Sequence, residues 1–223
     1  MPSSRAEILY DLAFAFWHHL TTEQANLPGG TALANTNVPY LLSNAAWYPK
    51  LGQLQSVAEW YAVCELPPAL IVPGRKEDDI ERTLQEGPFM LERGFTFREA
   101  LETHSETLVE QVDWRQTRYA GALLARHYEQ PDLELAIASS LADAMQKNPS
   151  VQAFLSYKED PVGAMVTFER DDTLTAMLLV DGDGGLETRL AQDAARRGLK
   201  GLVLEALPDG VTAGGGLERW SIR

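Results

Sequence analysis

Cysteine and clustered positive charge are both scarce in this sequence. Cys64 is the only cysteine among 223 residues, which excludes an intrachain disulfide and a thiolate metal cluster, and we expect no metal site. No run of lysine or arginine occurs, and the formal net charge is −13. Because phosphate groups attract lysine and arginine and repel carboxylates, we expect no nucleic acid and no anionic membrane as a partner. A positively charged small molecule or a basic partner is compatible with this charge.

Long hydrophobic runs are also missing. The apolar run at residues 12–17 is far shorter than the about 20 apolar residues that a membrane-spanning helix requires. Asp11 precedes this run, His18 and His19 follow it, and no small-residue cleavage site comes after it. The sequence therefore predicts a cytoplasmic protein. Adjacent histidines point in different directions on a helix, so we expect no metal role for this pair.

The 45% hydrophobic content is ordinary for a folded protein, and the length fits one large domain or two small ones. The polar segment 98–105 predicts a boundary, which gives an N-terminal lobe of residues 1–104 and a C-terminal domain of residues 105–223. In the first part, periodicity predicts helices over 5–20, 53–64 and 77–86, with strands over 69–73 and 87–97. The aromatic stretch with Tyr40, Trp47 and Tyr48 is interpreted as core or as the lining of a ligand pocket, and core is the more frequent outcome.

The second part contains a regular succession of elements. Asp113 and Gln116 stand at the two positions of a capping box that begins a helix, and Gly198 stands where a helix commonly ends. The pattern predicts a strand, two helices, three strands, a helix, a strand and a last edge strand, over residues 107–112, 113–128, 131–148, 151–157, 161–169, 174–180, 186–197, 199–207 and 217–223. This order predicts an α/β fold.

A glycine-rich turn, residues 181–185, joins the strand 174–180 to the helix that follows it. Such a turn can expose unpaired backbone N–H groups at the positive end of the helix, which is a physical basis for holding a phosphate. The alternative is that the glycines only make a tight corner, and spacing alone favours this structural interpretation.

The order of these elements resembles the GNAT family of acetyl-CoA-dependent N-acetyltransferases. The resemblance covers roughly residues 107–223 and rests on segments 160–165, 178–180, 190–198 and 202–206. It implies a mixed, mostly antiparallel sheet flanked by helices in two lobes. The segment 91–95 is similar to a further family passage, which implies a second, abbreviated GNAT-like unit in the N-terminal half. The implied activity is transfer of an acetyl or acyl group from acetyl-CoA or another acyl-CoA to an amine on a small molecule or peptide.

The resemblance also implies the site residues. Acyl-CoA would bind between the strand 174–180 and the following helix, at Leu179, Val180, Asp181, Gly182, Gly184, Gly185, Leu186 and Glu187. Family members polarise the thioester carbonyl with a backbone N–H of the central strand, and a base removes the amine proton. Glu169 and Glu205 are the candidates for this base. The late tyrosine that commonly protonates the leaving thiolate has no counterpart, because no tyrosine follows Leu207.

The turn departs from the family's phosphate loop, which reads Arg or Gln, two residues, Gly, one residue, then Gly or Ala. Asp181 or Gly182 stands where the family has Arg or Gln, and Asp183 and Glu187 add negative charge. Two like charges about 4 Å apart repel by about 4 kcal/mol at an effective dielectric constant of about 20, whereas a helix dipole contributes at most about 2 kcal/mol. Two functions stay open: an acyltransferase, or a catalytically inactive relative that acts as a binding, regulatory or dimerisation module, for example as a homodimer.

Overall fold

The computed structural model describes residues 5–38, 42–74, 78–212 and 216–222, so Tyr40 lies outside the described residues. Contacts group the chain into two compact units: unit 1 is Met1–Phe97 with Glu205–Arg223, and unit 2 is Arg98–Leu204. These units do not coincide with residues 1–104 and 105–223, because the last strand of the chain pairs with strands of unit 1. The division into an N-terminal lobe of residues 1–104 and a C-terminal domain of residues 105–223 stays a prediction.

Unit 1 has the strand order β1-β2-β3-β4-β11-β5. Its helices and strands are α1 (Arg5–His19), β1 (Glu23–Leu27), β2 (Gly30–Ala34), β3 (Ala45–Trp47), α2 (Gln55–Val63), β4 (Ala69–Pro73), α3 (Asp78–Glu86), β5 (Phe89–Glu99) and β11 (Leu217–Ile222). β3 and β4 are parallel, and the other neighbouring pairs are antiparallel. Since β11 lies between β4 and β5, the prediction of an edge strand at 217–223 is wrong.

The core of unit 1 forms where its helices meet the sheet. Val57 and Tyr61 of α2 and Leu84 of α3 pack in one cluster with side chains of β4 and with Trp220 of β11. α1 buries Leu9, Leu12 and Phe16, in agreement with the helical spacing of its apolar residues. Trp47 is completely buried, as the interpretation of the aromatic stretch as core predicts, while Tyr48 is 44% exposed.

Unit 2 has the strand order β10-β9-β8-β7-β6. Its elements are β6 (Leu108–Val112), α4 (Thr117–His127), α5 (Glu134–Lys147), β7 (Val151–Tyr157), β8 (Pro161–Arg170), β9 (Thr173–Val180), α6 (Gly185–Arg197) and β10 (Lys200–Asp209), whose last residues belong to unit 1. β9 and β10 are parallel, whereas β6, β7, β8 and β9 pair antiparallel in succession. The predicted order of elements is confirmed.

Local signals account for much of unit 2. The capping box is confirmed, since Asp113 Oδ1 accepts the Arg115 N–H at 2.7 Å and Gln116 Oε1 accepts the Asp113 N–H at 3.1 Å. Gly198 ends α6 with a left-handed φ of 68°. The fold class is confirmed as mixed α/β with mostly antiparallel strands flanked by helices. In the described ranges, no helix is both long and apolar enough to cross a bilayer.

Candidate functional site

The central strand β9 carries an irregularity in its pairing with β8. Val166 pairs with Leu178 and Thr167 pairs with Ala176, so Met177 is an extra residue in β9 with no partner opposite it. A β-bulge of this kind bends the strand and redirects the backbone groups beside it. Met177 is only 2% exposed, so this bulge lies in the interior of unit 2.

The parallel ladder between β9 and β10 ends beside the bulge. In the described part of unit 2, the first pair of this ladder is Thr173 with Lys200, and the last pair is Ala176 with Val203. Residues 177–180 of β9 extend beyond the end of this ladder. A backbone N–H group beyond the end of a ladder does not donate to the neighbouring strand, so it can donate to a ligand instead. The bulge could not be predicted from the sequence, because it depends on the register between two strands.

The predicted glycine turn follows β9 directly. Gly184 has a left-handed φ of 78°, which glycine adopts at little cost. A Cβ at Gly184 would overlap the Thr103 hydroxyl, and a Cβ at Gly185 would lie 2.9 Å from Ser105 Oγ. Both glycines therefore permit a close approach of the segment 103–105 to the start of α6.

Two aspartates hold N–H groups at the start of α6. Asp183 Oδ1 accepts the Gly185 N–H at 3.2 Å, and Asp181 Oδ2 accepts the Glu187 N–H at 2.9 Å. Asp183 also accepts a hydrogen bond from the Thr107 hydroxyl. Carboxylates at a helix N-terminus satisfy its unpaired donors and interact favourably with its dipole. N–H groups that a phosphate would need are thus bound by carboxylates of the chain itself.

Glu187 is held by residues that precede β6. Its carboxylate forms an ion pair with Arg98, whose Nη2 lies 3.0 Å from Oε2, and it accepts the Leu101 N–H at 2.8 Å. The Glu187 side chain is 13% exposed. The hydrogen bond from Arg98 lowers the pKa of Glu187, so this carboxylate is ionised at neutral pH.

The segment 101–107, which forms no helix or strand, covers the start of α6. The Thr103 N–H donates to Thr188 Oγ1 at 2.9 Å, and the Thr188 hydroxyl donates to Thr103 O at 3.0 Å. The Thr103 hydroxyl also donates to Gly184 O at 3.3 Å. From its composition, this polar stretch was predicted to be a boundary. The alternating hydroxyl residues Thr103, Ser105 and Thr107 were the available signal for its contact with the turn.

Asp181 lies in a costly environment for a charge. Its Oδ1 is buried with no hydrogen-bond partner among the described residues. Burial raises the pKa of Asp181 and the charge of Asp183 raises it further, against the opposing effect of the Glu187 N–H. Because the folded state holds this proton more tightly than the unfolded state, the ionised Asp181 destabilises the fold at neutral pH.

Asp181→Asn should therefore raise the free energy of unfolding near pH 7. The gain should be below about 1 kcal/mol, because Asp181 is partly exposed and solvent screens its charge. It should shrink as the pH falls through the raised pKa of Asp181, and disappear below about pH 3.9, where the unfolded chain is also protonated. Urea unfolding at a series of pH values measures this, with exposed Asp160→Asn as the matched control. Equal stability of Asp181→Asn and wild type at pH 7 would contradict the prediction.

The remaining predicted cofactor residues flank the glycine turn on both sides. Leu179 and Val180 end β9, Gly182 is exposed in the turn, and Leu186 is completely buried in a cluster with Phe154 and Met165. The structure thus brings the predicted cofactor residues together around one turn. Their binding role stays a prediction.

The two predicted bases lie elsewhere. Glu169 pairs with Arg197 at the far end of α6, a helix of 13 residues that is about 20 Å long. Glu205 is exposed and belongs to unit 1. Their catalytic roles stay predictions. In the residues that the structure describes, no group of three or more His, Cys, Asp or Glu side chains is arranged to hold a metal ion.

Comparisons with known proteins show which solved structures have a similar fold. No family model and no curated protein matches this sequence. Among solved structures, a GCN5-related N-acetyltransferase from Kribbella flavida is similar, with a TM-score of 0.60 and 14% identity over 96% of this chain and 95% of that chain. A functionally unknown conserved protein from Staphylococcus epidermidis has a TM-score of 0.55 and 14% identity, over 90% of this chain and 92% of that chain. At such identities the likeness shows the fold alone, which is GNAT-like.

Proposed function

We propose that this protein is a GNAT-like binding module in which unit 2 does not take acyl-CoA. The observation that carries the proposal is the pair of aspartates at the start of α6. Asp181 and Asp183 accept the N–H groups of Glu187 and Gly185, and a diphosphate brought to the turn would meet both carboxylates. The residues present therefore do not fit the diphosphate of acyl-CoA.

Electrostatic magnitudes support the same conclusion. A helix N-terminus stabilises an anion by at most about 2 kcal/mol, whereas one carboxylate about 4 Å from a phosphate opposes it by about 4 kcal/mol at an effective dielectric constant of about 20. Glu187 adds a third carboxylate within the first turn of α6, and the guanidinium of Arg98 is already engaged with it. The repulsion exceeds what the helix offers.

The charge of the chain indicates what the module binds. A formal net charge of −13 attracts basic peptides and protein surfaces and opposes the association of two copies of this chain. We therefore propose a basic partner rather than a homodimer. Such an interaction weakens as salt screens the charges.

A second candidate function, a GNAT-type acyltransferase acting on an amine, is favoured by the bulge at Met177. The bulge lies beside the end of the β9–β10 ladder. N–H groups at this point could bind a thioester carbonyl, as the resemblance to the GNAT family implies. Leu179 and Val180 would then line the acyl donor, and Glu169 or Glu205 would be the base. This candidate requires acyl-CoA to bind despite the carboxylates at α6.

Thermal unfolding of the wild-type protein separates the two candidates. We expect no change in Tm with millimolar acetyl-CoA, but a rise at low salt with a lysine-rich peptide and none with a glutamate-rich peptide of equal length. Acetyl-CoA at about 100 times its Kd would stabilise the fold by about 2.7 kcal/mol, a rise of about 5–10 °C for a chain of this size. ADP is the diphosphate control. If acetyl-CoA raises the Tm in this way and ADP does not, the proposal is overturned in favour of the acyltransferase.

A further inference from the structure

The parallel strands β3 and β4 of unit 1 share a single pair in the described structure, Ala46 with Leu70. Directly beyond this pair, the hydroxyl of Tyr10 lies between them. It accepts the Tyr48 N–H at 2.8 Å and donates to the Ile71 C=O at 2.7 Å. Tyr10 is 3% exposed, so one buried side-chain oxygen joins the backbone of the residue that follows β3 to the backbone of β4.

The same succession of elements surrounds the ladder end in unit 2. There, the antiparallel pair β8 and β9 leads through α6 into β10, which is parallel to β9. In unit 1, the antiparallel pair β2 and β3 leads through α2 into β4, which is parallel to β3. Each unit therefore has a parallel pair of strands whose ladder ends early. In unit 1, Tyr10 of α1 supplies an oxygen at this position.

Neighbouring groups fix Tyr10 in this place. The rings of Trp47 and Tyr48 each lie edge-on to the Tyr10 ring, with centroids 5.1 Å away. Tyr48 has a φ of 54°, which is unfavourable for a bulky residue, and its hydroxyl donates to Asp11 Oδ1 at 2.7 Å. Burial raises the pKa of Tyr10, so its hydroxyl stays protonated and remains a donor to Ile71.

We propose that Tyr10 is a built-in ligand of unit 1. Its hydroxyl takes the position between β3 and β4 that the oxygen of a bound molecule would otherwise take. Carbonyl and hydroxyl compounds are therefore excluded from this position. This inference goes beyond the proposed function, which concerns α6 of unit 2. It implies that removal of the Tyr10 side chain creates a site specific for an aromatic molecule with a donating and accepting oxygen.

Chemical rescue of Tyr10→Gly tests the proposal, with Tm as the measurement. Phenol can accept from the Tyr48 N–H and donate to the Ile71 C=O, acetophenone can only accept, and toluene can do neither. We expect phenol to raise the Tm of Tyr10→Gly most, acetophenone less and toluene least, and none of them to raise the Tm of wild type. Equal effects of phenol and toluene on Tyr10→Gly would overturn the proposal.

Tyr10→Phe gives an answer if Tyr10→Gly fails to fold. This variant keeps the ring and leaves the partly buried Tyr48 N–H and the buried Ile71 C=O without their shared partner, so we expect Tm to fall by about 3–8 °C. Tyr119→Phe is the matched control, because Tyr119 is 56% exposed in α4 of unit 2, and the loss of its hydroxyl should change Tm by less than about 2 °C. A Tm for Tyr10→Phe equal to that of wild type would refute the built-in ligand. The acetyl-CoA experiment on wild type is independent of either result.

Discussion

Gly216→Ala should lower the free energy of unfolding by about 3 kcal/mol or more, the upper range for overpacking a closed site. A Cβ at Gly216 would overlap the Phe95 carbonyl oxygen and would lie 2.8 Å from the Phe95 carbonyl carbon and 3.0 Å from Thr96 Cα. These are backbone atoms of β5, so no side chain can rotate away. The Gly216 C=O also accepts the Gly74 N–H at 2.8 Å, which fixes the chain on the β4 side.

Urea unfolding of Gly216→Ala and wild type measures this loss. Gly52→Ala is the matched control, because a Cβ at Gly52 meets no atom within 4 Å and its φ is not in the left-handed region. The control should leave stability unchanged to within about 0.5 kcal/mol. A similar small change in Gly216→Ala would show that β11 can shift freely between β4 and β5, which the two-sided pairing argues against.

The sequence predicted those parts of the fold that neighbouring residues determine. Asp113 and Gln116 are three residues apart and cap each other, and Gly198 ends α6 because its own φ is left-handed. The succession of elements in unit 2 was therefore predictable. The position of β11 was not, because Leu217 pairs with Pro73 and Phe95, residues more than a hundred positions away in the chain. Local composition carries no information on such a pairing.

The candidate site, too, could be predicted only where neighbouring residues determine it. The turn and its acidic character could be predicted, because Asp181, Gly184 and Gly185 lie within five positions of one another. The segment 101–107 was missed, since its contacts with α6 join residues about 80 positions apart, such as Thr103 and Thr188. The bulge at Met177 depends on the register between β8 and β9, which neither strand specifies alone. The sequence therefore could not predict that the segment 101–107 covers the start of α6.

The double variant Asp181→Asn with Asp183→Asn should bind acetyl-CoA at least about 10-fold more tightly than wild type. Removal of two carboxylates relieves the repulsion of a diphosphate, and the N–H groups of Gly185 and Glu187 keep neutral acceptors that a phosphate can displace. A gain of about 1.4 kcal/mol corresponds to a factor of ten in Kd, and it is below the interaction that a helix N-terminus can offer an anion. Titration calorimetry with acetyl-CoA at physiological salt measures the Kd.

The control for this variant is Asp193→Asn, which removes one negative charge from the same helix. Asp193 pairs with Arg189 and Arg196 and lies eight residues after Gly185, about 12 Å along the helix axis. This distance exceeds the Debye length of about 8 Å at physiological salt, so Asp193→Asn should leave acetyl-CoA binding as in wild type. The gain of the double variant should also shrink at high salt. If the double variant binds acetyl-CoA no better than wild type, the carboxylates are not what closes the turn, and the contacts of the segment 101–107 with Gly184 and Thr188 are the remaining obstacle.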